Sequence, residues 1–415
     1  MARKETRTVA TTDWVAAAEG PLEALSYHGL DGRPGFKLAL TVKDGRHFLY
    51  VSHLWHSGWS VLDVTEPAAP KHVRFIPGPP STWTLQVTLC GDLLATSLEP
   101  VPPDWGGESG APFSEGVFIW DITDPANPSQ MSHFKTGDRG THRNGFDDRG
   151  LLHLSARVAG QVGLILVLLD VSEPGAPREI GRFSMPDQAP GRHPASDPPF
   201  GIHGPSIRVG DLAYLPYGGH GLVIVDVTVP ERPSLVGQLS VRPPLGTRIA
   251  AHSAVPLPGR SLVVLNSEAL EEGCDEPVNY AGLVDVTDPT LPRMISLFPT
   301  PRPPRGAAYD SFCARGGRFG PHNQHIGAGN PQLFQDETLC FLTYFNAGLR
   351  VFDLRDPHHV AEIAYMIPKD PPSRIGPLPR TLVTQVEDVL VDARGVVYFT
   401  EKNTGLYIAK WHGRP

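Results

Sequence analysis

Four histidines and a glutamate stand in short contexts that could present each of them from a different strand. They are His142 in Thr-His-Arg-Asn, His203 in Ile-His-Gly-Pro, His252 in Ala-His-Ser-Ala, His322 in Pro-His-Asn-Gln and Glu387 in Val-Glu-Asp-Val. Neutral imidazole is the commonest transition-metal ligand, and imidazoles held on rigid elements need little ordering when an ion arrives. The expected chemistry is therefore that of a divalent transition metal. Fe(II) is favoured, with Mn, Cu or Zn as the alternatives, acting as a Lewis acid or keeping a position open for dioxygen. Glu268, in Asn-Ser-Glu-Ala, is expected to orient a ligating imidazole, and His325, Tyr344 and Lys402 are the candidates for handling protons. His325 competes with His322, but in an extended strand the two side chains face opposite ways, so one of them reaches the site.

The elements that must position these residues follow from a repeat. An apolar run ending in Asp, followed by a proline-rich turn, recurs six times: Trp59–Pro67, Val117–Pro125, Leu166–Pro174, Leu222–Pro230, Ala281–Pro289 and Arg350–Pro357. Nearly continuous apolar, β-branched runs belong to strands covered on both faces, and the spacing of the copies suits one four-stranded blade each. The fold class expected is all-β, a seven-bladed β-propeller in a single domain over 1–415. The blades fall roughly at 36–78, 81–137, 140–186, 201–241, 249–298, 320–368 and 382–411. The last is degenerate, and an N-terminal strand near Ala24–His28 is expected to complete it and close the ring. Alignment of the innermost strands supplies the register. Counting back nine or ten residues from the second strand of a blade gives His142, His203, His252 and Glu387, and His322 follows after an expansion at 327–336. The other two blades place Thr84 and an apolar residue near Leu38 at that position.

The units resemble the LVIVD repeat, a propeller-forming motif of bacterial proteins, over roughly residues 36–411. That resemblance implies the fold and little about activity. In site architecture, and not in local motifs, the chain also resembles the carotenoid cleavage oxygenases, seven-bladed propellers in which four axial histidines hold Fe(II) with glutamates behind them. It is similar, too, to propeller lyases that hold Mn with histidines. By that likeness His142, His203, His252 and His322 are ligands, and Glu268 or Glu387 stands behind them.

Composition narrows the classes. With 36 Lys and Arg against 44 Asp and Glu and no basic stripe, nucleic acid is not an expected partner. No apolar stretch is long enough to span a membrane, and no signal-peptide core follows the charged Met1–Thr8, so the expected location is cytoplasmic. Cys90, Cys274, Cys313 and Cys340 form no C-x-x-C pair and read as scattered thiols of a reducing compartment. Nucleophile-elbow, P-loop, dinucleotide and HExxH motifs are absent. Three functions remain. The first is a metal-dependent oxygenase or oxidoreductase for a small, partly apolar or aromatic substrate. The second is a metal-dependent lyase or hydrolase, and the third a non-catalytic propeller that offers its loops to a protein partner. Nothing in the sequence fixes the oligomeric state. Long connections at 98–116, 269–280 and 299–319 lie beside the expected site, with Trp105, Phe113, Tyr309, Phe312 and Phe319 as candidates for an apolar wall.

Overall fold

Each copy of the repeat forms the third strand of a blade, and its physics is clearest at Leu222–Asp226. Leu222, Val223, Ile224 and Val225 are fully buried, because alternate side chains enter the interfaces with the two neighbouring blades. Val223 and Val225 pack with Leu166 and Leu168 of the blade before, while Leu222 and Ile224 pack with Ala254, Val263 and Val284 of the blade after. Full burial of one such side chain contributes about 1.5–3 kcal/mol. Gly221 opens the strand at a φ of 84°, where a Cβ would strike the Leu239 carbonyl of the fourth strand. The closing aspartate is a turn cap. Oδ1 of Asp63, Asp121, Asp170, Asp226, Asp285 and Asp353 accepts the amide two residues on, at 2.8–3.0 Å.

The computed structural model describes residues 13–327 and 329–413, which form a seven-bladed β-propeller. The charged run at Met1–Thr8 lies outside the described residues. The ring closes as the sequence implies: Leu22–His28 is the outer strand of the seventh blade, against Leu406–Trp411, Val396–Glu401 and Val386–Val391. Every blade carries a register shift between its third and fourth strands. Leu22–His28 shows it too, which marks it as a true fourth strand. An additional strand, Val15–Glu19, pairs with Ala361–Pro368 and covers the edge of the sixth blade. Its small residues, Ala16 to Ala18, give no apolar alternation to read, and it is anchored by Trp14 packing on Phe399 and Tyr407. No described helix is long and apolar enough to cross a membrane.

One expectation is corrected. Cys274 and Cys313 are disulfide-bonded, with Cα atoms 5.4 Å apart, and only Cys90 and Cys340 are free. The two partners lie on separate long connections that meet in space, which sequence spacing does not reveal. The cysteines therefore no longer argue for a reducing compartment.

Candidate metal centre

The inner strands are short or broken where they approach the propeller axis, and the four histidines sit at those breaks. His142 falls between the two-residue strands Gly140–Thr141 and Gly145–Phe146; in the sixth blade the inner segment forms no regular strand among the described residues and is held to the second strand by the Gln324–Leu342 bridge and a few flanking backbone bonds. What fixes the register is one backbone bond per blade. The amides of His142, His203, His252 and His322 donate to the second-strand carbonyls of Ser155, Pro216, Asn266 and Thr343 at 2.8, 3.0, 2.7 and 2.9 Å. Their side chains consequently turn toward the axis together. Successive ring centroids are 4.6, 4.8 and 4.6 Å apart, in the order His142, His203, His252, His322.

Outer partners orient the rings. His252 Nδ1 lies 2.8 Å from Ser253 Oγ, whose own hydrogen goes to the His322 carbonyl, so Nδ1 is the donor and Nε2 carries the lone pair. His142 Nδ1 lies 2.5 Å from Glu99 Oε1, and His322 Nδ1 lies 3.2 Å from Glu387 Oε2. Imidazoles held from behind by a carboxylate or hydroxyl are the usual arrangement around a metal. Glu268 Oε2 lies 2.8 Å from His203 Nε2 and 3.7 Å from His252 Nε2, and His142 Nε2 and His252 Nε2 are buried without a hydrogen-bond partner among the described residues. Each such atom costs about 1–3 kcal/mol if nothing occupies the space it faces. His203, His252 and Glu268 each bring a ligand atom within 4.8 Å of the others. The donor set fits a divalent transition ion.

Burial pushes the imidazoles toward neutrality: His142 and His252 well below their ordinary range and His203 down to about 3, with neighbouring cationic groups adding to the effect. Neutral rings are what a metal needs. Burial opposes ionisation of Glu268, but His203 at 2.8 Å and the adjacent imidazoles hold it well below the usual carboxylate range. Arg318 Nη1, 2.9 Å from Glu268 Oε1, favours the same state. Glu387 is likewise held down to about 2, burial being outweighed by Lys402 at 2.9 Å and by His322. Glu99 has no such cation in contact, and burial lifts it to about 7. Lys402 falls to about 8 through burial and Arg318.

The four histidines are thus brought together, and the carboxylates exchange the positions expected of them. Glu268 sits inside, with Oε2 3.7 Å from His252 Nε2 and Oε1 3.8 Å from His322 Nε2, whereas Glu387 stands behind His322. A register shift between Val386 and Val389 turns Glu387 off the inward row, and the second strand's end carries Glu268 in instead. Lys402 reaches the site only through Glu387. His325 does not reach it: Nε2 donates to the Phe334 carbonyl at 2.9 Å and the ring lines a cavity on the far side. Tyr344 is also elsewhere, buried against Phe319 and Phe352 in a contact between blades. The residue after it, Phe345, takes a φ of 42° at the turn and stacks on His322 at 4.6 Å. Thr84 spends its hydroxyl on Gly58, and the apolar residue that the first blade presents near Leu38 is Phe36, 6.1 Å from His322. Glu401, fully buried, caps its own turn by accepting from Asn403 N and ties that turn to the inner segment by accepting from Gln385 N.

Sequence reasoning missed Arg143 and Arg318, which follow or precede the motifs by a few residues and carry no periodic signal. Of the long connections, only the first supplies an aromatic to the site: Trp105 lies under Arg318 and Lys402, with centroid distances of 5.4 and 4.6 Å. Phe312 and Phe319 stack on each other, and Phe113 is exposed. Such exposure as the site has is on the side of His142 and Glu99, at 8% and 9%, against 0% for His252 and Glu387. A cavity of about 880 Å³ enters from the opposite end of the axis. Its inner wall includes Lys37, Asn144, Gln324 and Asp388, each one or two residues from the ring.

The profile of the LVIVD repeat family matches residues 207–241, the fourth blade. No curated protein matches by sequence. Among solved structures, the chain is similar to a periplasmic gluconolactonase of Pseudomonas aeruginosa, at 14% identity over 87% of this chain and 94% of that one, with a TM-score of 0.55. It is similar to the β-propeller domain of Cps50 (Swd1) from Myceliophteria thermophila at 11% identity, 91% and 96% coverage and a TM-score of 0.52. A chain of a mitotic checkpoint complex matches at 8% identity, 99% and 96% coverage and a TM-score of 0.52. At these identities the likeness speaks for the fold alone.

Proposed function

We propose that this LVIVD-repeat propeller is a metal-dependent enzyme of the non-haem-iron oxygenase or oxidoreductase type, with His142, His203, His252 and His322 around the ion. The observation that carries the reading is the buried His203, His252 and Glu268 group with the unpartnered Nε2 atoms of His142 and His252 beside it, in a chamber whose imidazoles are otherwise held from behind. An ion bound by neutral imidazoles keeps most of its charge and supplies Lewis acidity or a position for dioxygen. The chain's own residues supply the rest. Glu99, near neutrality and in contact with His142, can hold or release a proton at the more open side. Arg318 and Lys402 fix Glu268 and Glu387, and the Phe36 and Phe345 rings limit water around His322. A small, partly apolar substrate suits these walls.

Elemental analysis of untagged protein tests this directly. A stoichiometric transition metal in the wild type, lost in a His203→Ala/His252→Ala variant of similar stability, is the expected result. Metal-free protein of equal stability overturns the proposal and leaves the interaction-propeller reading. Iron or copper with oxygen consumption upholds the oxygenase class, whereas manganese or zinc without it favours a lyase or hydrolase.

A further inference from the structure

Lys37, Arg318 and Lys402 are matched in the chamber by Asp388, Glu268 and Glu387, at 2.6, 2.9 and 2.9 Å. Arg143 is left over. It is 2% exposed, its guanidinium lies 4.8 Å from the centre of the Phe36 ring, and Nε and Nη1 have no hydrogen-bond partner among the described residues. The nearby carboxylates act on it only from beyond ion-pair distance, each being engaged elsewhere, with Glu99 against His142. A guanidinium does not shed its proton to escape burial, so an uncompensated one is a standing cost. Its fixed fork of N–H donors has a natural complement in a planar, two-oxygen anion. A divalent ion beside it adds positive charge, which an anion would offset.

We propose that the chamber takes a small carboxylate, with Arg143 as its anchor beside the Phe36 ring and the imidazoles. The inference rests on the metal-centre reading for the chemistry done on the acid, and on Arg143 alone for its binding. Benzoate, benzamide and inorganic phosphate are suitable probes, titrated calorimetrically into metal-loaded and chelator-treated wild type, Arg143→Gln and Arg143→Lys. Benzoate should bind the wild type at least ~10-fold tighter than benzamide, and Arg143→Gln should lose at least ~10-fold, with Arg143→Lys in between. Metal content should be unchanged in both variants. If Arg143→Gln does not fold, Arg143→Lys carries the test, with benzoate weakened at least ~3-fold relative to wild type. Failure of wild type to bind benzoate, equal binding of benzamide, or benzoate binding unaffected by the substitution overturns the anchor. Phosphate binding tighter than benzoate overturns the carboxylate class. Arg143-dependent benzoate binding by protein that never carries an ion sustains the anchor while the metal centre fails; a stoichiometric ion without benzoate binding does the reverse.

Discussion

In blades three to six the residue whose amide closes the inner ladder is a histidine, and its imidazole turns to the axis. Blades seven, one and two, built with the same strands and the same bulge, bring Glu387, Phe36 and Thr84 to the corresponding region. One half of the ring therefore offers lone pairs, and the other offers a carboxylate behind an imidazole, an aromatic face and a residue tied to the neighbouring blade. The repeat that dictates backbone register does not dictate what the register presents. Four imidazoles on adjacent blades form an arc, in which His203 and His252 bring ligand atoms together with Glu268 and His142 and His322 flank them, and the rest of the circumference stays free for groups that balance charge or admit substrate.

Breaking the imidazole half at its centre should have the largest effect. Glu268→Gln removes the carboxylate that Arg318 and three imidazoles share, and it leaves Arg318 buried against a neutral amide. Removing one partner of a buried pair costs about 3 kcal/mol. Urea unfolding of metal-free protein should show a loss of that order, and a variant as stable as wild type would mean that Arg318 re-pairs with Glu387, 3.7 Å away. Glu387→Gln perturbs the other half and should do less to binding. The four histidines stay, but His322 loses the group behind it, so metal affinity measured against a competing chelator should fall about 10-fold. A larger loss than that of Glu268→Gln would reverse the assignment of the two carboxylates.

How far this was legible depends on whether a residue's position follows from the strand period. The third strands, their capping aspartates and the closing strand at Leu22–His28 were readable because burial on both faces leaves an apolar run and proline turns in the sequence. The shared register of His142, His203, His252 and His322 followed from counting along regular second strands. Counting failed wherever the inner segment is irregular. The shift at Val386–Val389 interchanged Glu387 with Glu268, and the left-handed turn at Phe345 put that ring, and not Tyr344, on His322. Arg143 and Arg318 were invisible for a different reason: a long side chain reaches the axis from a loop without obeying any period.

The smallest effect is expected in the framework, and it sharpens the comparison by being alike in both halves. Asp63 belongs to the first blade and Asp170 to the third, and each accepts the amide two residues on and pairs with an arginine, Arg46 or Arg178. Burial is the largest single influence on Asp63 and raises it, but Arg46 and Thr65 together outweigh it and hold the carboxyl at about 2. For Asp170 the Ser172 amide and hydroxyl, then Arg178, lower it. Carboxylates depressed in the folded state contribute stability above their unfolded value, and that contribution is lost as pH falls through the folded one. Asp63→Asn and Asp170→Asn should each lower Tm by about 1–2 °C at neutral pH, and the difference from wild type should close as pH falls from about 4 toward about 2. Metal content should not change in either. Unequal shifts, or loss of metal from only one of them, would show that the framework of the two halves is not equivalent and that the arc of histidines depends on its own blades for more than register.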